Sequence, residues 1–167
     1  MSAIVRKYDE AFSASQKFFG ESKPDVWYLM SKGRLDESQK VTEEMSAKEP
    51  DHPFLPQMKA LLFALKGDFR SAETQIPSIL NRQSIKGPTY HHATYDIACI
   101  YALEGKSDEA VKWLKETAAT GFPCYPLFAR DPYLNRIRQA PEFLQFMAEM
   151  KAQNERYRRE FGEGVTR

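Results

Sequence analysis

Apolar residues recur along this chain at intervals of three and four, the spacing that gathers one face of an α-helix and not one face of a strand. Residues 3–19 place Ile4, Val5, Tyr8, Phe12, Phe18 and Phe19 in that rhythm and predict an amphipathic helix that Gly20 ends. Pro24 suits the first position of the next helix, where its missing N–H costs nothing. Toward the other end, Asp131-Pro132-Tyr133-Leu134 repeats the start signal. Ala140-Pro141-Glu142-Phe143 then opens a long helix whose stripe is Phe143, Phe146, Met147, Met150, Tyr157 and Phe161.

Between these flanks three short segments share a pattern: Gly33-Arg34-Leu35-Asp36-Glu37-Ser38, Gly67-Asp68-Phe69-Arg70-Ser71-Ala72 and Gly105-Lys106-Ser107-Asp108-Glu109-Ala110. Their glycines lie 34 and 38 residues apart. Each has a helix-like stretch on both sides, and each carries a small residue five positions after the glycine. Glycine ends a helix at low cost because it accepts the left-handed backbone of a C-terminal cap. The small residue, Ser38, Ala72 or Ala110, falls in the first turn of the following helix and lets two helices approach. Ser107 is placed as an N-cap, and Asp108 and Glu109 suit the positive end of the helix dipole.

At these residues the chain resembles the tetratricopeptide repeat family, whose repeat is a helix–turn–helix of 34 residues. The third unit keeps Ala98, Tyr101, Gly105 and Ala110; Leu114 replaces the motif's bulky aromatic and Thr117 departs from its alanine. The second keeps Ala60, Phe63, Gly67 and Ala72, with Ile76 as the bulky residue. The first matches in character only, through Val26, Leu29, Gly33 and Ser38, although Pro50 stands where the motif closes on proline. The longer second spacing is assigned to a loop in Asn81–Pro88, marked by Gly87-Pro88.

The resemblance implies an all-α, right-handed α-solenoid of about three helical hairpins, at about 24–50, 54–84 and 89–121. Capping helices at 3–19 and 131–161 would complete a single domain over 1–167, since an unstacked repeat leaves an apolar face in water. Tyr125–Met150 looks like the piece that closes many bacterial tetratricopeptide proteins, which hints at a bacterial regulatory or assembly context. Carried over from the family, the concave groove is lined by Lys23, Trp27 and Met30, by Phe54, Gln57 and Leu61, and by His92, Tyr95 and Cys99. Some relatives clamp acidic chaperone tails with a set of basic residues. The corresponding positions here include Lys23, Trp27, Met58, His92 and Asp96, where only the lysine matches and Asp96 has the opposite charge. The expected function is therefore that of an adaptor or scaffold binding a protein or peptide through apolar and aromatic contacts. The alternative is a homo-oligomeric assembly protein whose groove is filled by a second copy; the N-terminal helix is another candidate occupant.

Composition narrows the other classes. Charged residues make up 28% and hydrophobic residues 42% of 167, too apolar for disorder. Lys and Arg number 24 against 23 for Asp and Glu, which lacks the basic excess of a nucleic-acid binder. Cys99 and Cys124 have no CxxC spacing and read as free thiols in a reducing compartment. Arg6, Lys7, Asp9 and Glu10 interrupt what a signal peptide needs, and no stretch approaches the length of a membrane span, so a cytoplasmic protein is expected.

No phosphate loop, nucleophile elbow, zinc helix or dinucleotide fingerprint occurs, so neither an enzymatic activity nor a cofactor is expected. His91-His92 is the most tempting pair for a metal, but adjacent helical positions diverge by about 100°. His92 and Asp96 have the right spacing yet lack a third ligand other than a candidate Cys99, so solvated or groove-lining histidines are the better reading. Cys99 has no base beside it and reads as a small hydrophobe. Arg156-Tyr157-Arg158-Arg159 reads as a solvated face neutralised by Glu155, Glu160 and Glu163, Met147 and Met150 as core, and Trp113 as packing.

Overall fold

The computed structural model describes residues 25–82 and 87–161, and every regular element among them is helical. The amphipathic segment 3–19, Gly20, Lys23 and Pro24 lie outside the described residues. The chain divides into two compact units, Met1–Thr89 and Tyr90–Arg167.

The first unit holds α1 (Val26–Ser31), α2 (Leu35–Lys48), α3 (Leu55–Leu65) and α4 (Phe69–Arg82). The second holds α5 (Tyr90–Glu104), α6 (Ser107–Ala119), the short α7 (Tyr125–Phe128), a 3₁₀-helix (Pro132–Ile137) and α8 (Pro141–Phe161). Within the first unit α1 packs on α2 and α3, α2 on α3, and α3 on α4. Within the second, α5 packs on α6 and the 3₁₀-helix, and α8 on α6 and α7. No helix of the described residues is long and apolar enough to cross a membrane.

The glycines behave as their spacing predicts. Gly33, Gly67 and Gly105 have φ of 71°, 83° and 94°. At each, the amide after the glycine bonds the carbonyl five residues back: Arg34 to Leu29, Asp68 to Phe63 and Lys106 to Tyr101, all at 2.9 Å. These are Schellman closures, which satisfy helix carbonyls that would otherwise lack donors. Gly121 (φ 116°) ends α6 in the same way, with Phe122 N–H on Thr117 O at 3.1 Å.

The small residues do what close helix approach requires. Ser38, Ala60, Ala72, Ala98 and Ala110 have no exposed surface. Around them lie the large core side chains: Leu29, Leu61 and Ile79 in the first unit, and Ile97, Ile100, Leu114, Phe128, Leu134, Ile137 and Phe146 in the second. Each such burial contributes about 1.5–3 kcal/mol before chain entropy is counted.

Several starts and stops differ in detail from the sequence reading. α1 begins at Val26 with Asp25 as its N-cap, the carboxylate accepting the Tyr28 N–H at 2.8 Å. Ser107 is the first helical residue of α6 and not its cap; Lys106 occupies that position. The influence of Ser107, then of the Glu142 backbone amide, draws the Glu142 carboxyl at the start of α8 below its ordinary value. α4 runs to Arg82, two residues into the stretch assigned to a loop. There the Arg82 guanidinium bonds the carbonyls of Pro50 at 3.3 Å and His52 at 3.1 Å, holding the α2–α3 connection against α4.

Candidate functional site

Few large apolar side chains are fully exposed among the described residues, and in each of two sets half-buried aromatics touch one another. In the first unit Trp27, on α1, and Phe54, just before α3, are half-buried and meet edge to face with ring centroids 6.1 Å apart. The His52 ring lies 5.9 Å from that of Phe54. Edge-to-face pairing suits the opposed charge of ring faces and rims.

The second unit has a longer aromatic run. His91 and His92 open α5, and although consecutive helical positions diverge, both rings fold toward Phe122, with centroids 4.3 Å apart. His91 stacks on Phe122 at 5.4 Å with 14° between planes, and His92 lies 6.3 Å from it. Phe122 follows the Gly121 closure, so the glycine turn that ends α6 sets its ring against α5. Tyr95, one turn further along α5, touches Phe122 at 6.3 Å and stacks on the buried Phe128 at 5.6 Å. Phe128 continues the run to Phe146 of α8 at 5.8 Å. The set grades from core (Phe146, Phe128) through half-buried rings (Tyr95, Phe122, His91) to exposed His92.

Beneath this surface lies a buried polar joint. The Tyr95 hydroxyl donates to Asp131 Oδ2 at 2.6 Å, and Asp131 Oδ1 accepts the Tyr133 N–H at 2.8 Å. Burial pushes the Asp131 carboxyl up, against the Tyr95 and Tyr133 hydrogen bonds and the Arg138 charge, which draw it down. Burial also raises the Tyr95 hydroxyl well above its usual value, with the neighbouring Cys99 and Asp131 adding to it. The same burial holds Cys99 well above the ordinary thiol range, with the charges of Asp131 and Asp96 adding to it. Cys99 is 1% exposed and packed into the interior of its unit. His92 moves the other way: loss of solvent, then the charge of His91, lowers its imidazole.

The groove residues carried over from the family fall into distinct environments. Met30, Gln57, Leu61 and Cys99 are 3%, 0%, 1% and 1% exposed, so in this conformation they have almost no surface to offer a partner. Trp27, Phe54, His92 and Tyr95 retain accessible ring surface, and Lys23 lies outside the described residues. His91 and Phe122, which the sequence reading did not place in the groove, belong to the same aromatic run as His92 and Tyr95. The signal that could have found Phe122 is Gly121 directly before it, a fourth helix-ending glycine outside the repeat spacing. Among the described residues no three His, Cys, Asp or Glu side chains converge as a metal site would require.

Comparison of the chain with protein-family models, with curated proteins and with solved structures finds no significant match.

Proposed function

We propose that this chain is a tetratricopeptide-type adaptor, its helix pairs belonging to a right-handed solenoid, that works in the cytoplasm by binding a protein or peptide and not by catalysis. The observation that carries this reading is the grading of the aromatic residues. In the second unit the inner rings Phe128 and Phe146 are locked into the core and leave His92 and Phe122 accessible and preorganised, and in the first unit Trp27 and Phe54 form a half-buried pair. Such rings bury much area on binding while losing little rotamer freedom, which is why aromatics dominate binding hot spots. The glycine-closed helix pairs and the buried small residues at each approach support the repeat reading.

The test is capture of partners from a source lysate by the tagged chain, compared with Trp27→Ala and His92→Ala variants. Helicity measured by circular dichroism controls for folding. Partners enriched by the parent chain and lost from either variant support the reading. Enrichment that survives in both variants removes these aromatic faces from it.

A further inference from the structure

A cavity of about 350 Å³ lies among α2, α3 and α4 of the first unit, at the lower end of the roughly 300–1,000 Å³ of small-molecule sites. Its base follows from the sequence of α3. Lys59, Leu62, Phe63 and Lys66 stand at steps of three and four, so one face of that helix sets two apolar side chains between two lysines. The lysines are two turns apart, about 10 Å along the axis. Between them Leu62 is 5% exposed and Phe63 half-buried. Gln39 and Glu43 line the cavity from α2, and Gln75 from α4.

The two lysines differ in how they are satisfied. The Lys66 ammonium donates to Asp36 Oδ1 at 3.2 Å and to Gln39 Oε1 at 2.5 Å. Gln39 Nε2 donates in turn to Glu43 Oε1 at 2.7 Å, which closes that end of the cavity into a network. Lys59 is half-buried, and among the described residues its ammonium donates only to the Ser46 hydroxyl, at 3.0 Å. An ammonium has three donor hydrogens, so two are left, and Lys59 is the lining cation that no carboxylate of the described residues pairs. The Gln75 side chain makes no hydrogen bond among the described residues either.

We propose that this cavity binds a small molecule built as a carboxylate on an apolar body, the carboxylate on Lys59 and the body over Leu62 and Phe63. One negative charge matches one open cation. A phosphate or other dianion would find no guanidinium fork in the lining, and Glu43 would repel its second charge. A cationic ligand would meet two lysines. A neutral apolar ligand would take Lys59 further out of water with no counter-charge, which is costly. The cavity shares no residue with the Trp27–Phe54 pair, so its occupancy is independent of protein capture there.

Titration of the full chain with hydrocinnamate, followed by backbone amide NMR, tests this, with hydrocinnamamide as the uncharged control. The expected result is saturable shifts along α2, α3 and α4. The amide should bind about tenfold or more weakly, the worth of one hydrogen bond to a charged group. Lys59→Met keeps an unbranched stem and should weaken the acid by a similar factor. Gln75→Glu leaves Lys59 in place and adds a second carboxylate to the lining, so it too should weaken the acid, and it decides the matter if Lys59→Met does not fold. Trp27→Ala should bind the acid as the parent does. No saturable shift, equal affinity for acid and amide, or Lys59→Met and Gln75→Glu chains that bind as the parent does overturns the inference. So does a peptide with a free C-terminal phenylalanine that binds about tenfold or more tightly than hydrocinnamate, since the occupant is then a protein C-terminus.

Discussion

Tyr95 and Asp131 are joined by a 2.6 Å hydrogen bond across 36 residues, and the same carboxylate caps the 3₁₀-helix through the Tyr133 amide. Asp131 thus ties α5 to the segment that turns the chain into α8, and it is 6% exposed, out of reach of much replacement water. Tyr95→Phe keeps the ring on Phe128 but leaves Asp131 Oδ2 without its donor. It should cost about 1–3 kcal/mol, the penalty for an unsatisfied buried polar group, measured as a lower urea midpoint at unchanged slope. Asp131→Ala removes the cap as well and should cost more.

Acidification should act through His92. Its folded-state pKa lies below the unfolded value of about 6.5, so below that pH the unfolded chain binds the proton more readily. The contribution is present above about pH 6.5 and is lost as pH falls through the lowered folded value. The urea midpoint should therefore drop between pH 7.5 and 5.0, and His92→Gln should flatten part of that slope. A slope identical in the variant would assign it to other groups.

Gly105 has φ of 94°, and a Cβ built there meets nothing within 4 Å. The cost of Gly105→Ala is then conformational alone, about 1–2 kcal/mol for an L-residue held in the left-handed region. Thermal unfolding should show the loss, and Gly67→Ala, at φ of 83° with the same open space, should behave alike.

Thr117 stands where the repeat pattern calls for alanine, and its surroundings give the reason. Its hydroxyl lies 2.9 Å from that of Thr94, a residue that donates to His91 O at 3.1 Å, and 2.8 Å from Trp113 O. Thr94 and Thr117 are both fully buried. Thr117→Ala should cost about 0.5–1.5 kcal/mol, the net worth of one buried hydrogen bond, although it restores the pattern residue. Denaturant unfolding distinguishes this from the gain that pattern matching alone would forecast.

Helices, their glycine stops and the small residues at their approaches were legible because each depends on a few neighbouring positions. Gly33, Gly67 and Gly105 needed only the local requirement for a left-handed residue, and Pro141 only the local freedom of a first turn. The candidate surface was less legible, because spacing gives the period of a helix and not the direction in which each face points. Adjacent positions on a helix differ by about 100°, so a small error in phase turns core into surface. Gln57 illustrates this, since its residue type does not announce burial and it lies inside. The exposed end of α8 could not be told from its buried start, because Phe143 and Phe161 lie on the same helical stripe. Where the packing partner ends is a tertiary fact.

Arg138 adds a property to the segment that carries Asp131. Its guanidinium bonds the carbonyls of Ala129 and Asp131, both at 2.6 Å, and Asn135 Oδ1 at 2.8 Å. Ten residues are thereby closed into a ring by one planar side chain, as a disulfide would close them but with no dependence on redox state. Two of the three acceptors are main-chain carbonyls and the third is a neutral amide, so added salt has little to screen. A lysine has the charge but not the fork, and Arg138→Lys should open this ring to proteases while leaving the net charge of the chain as it was.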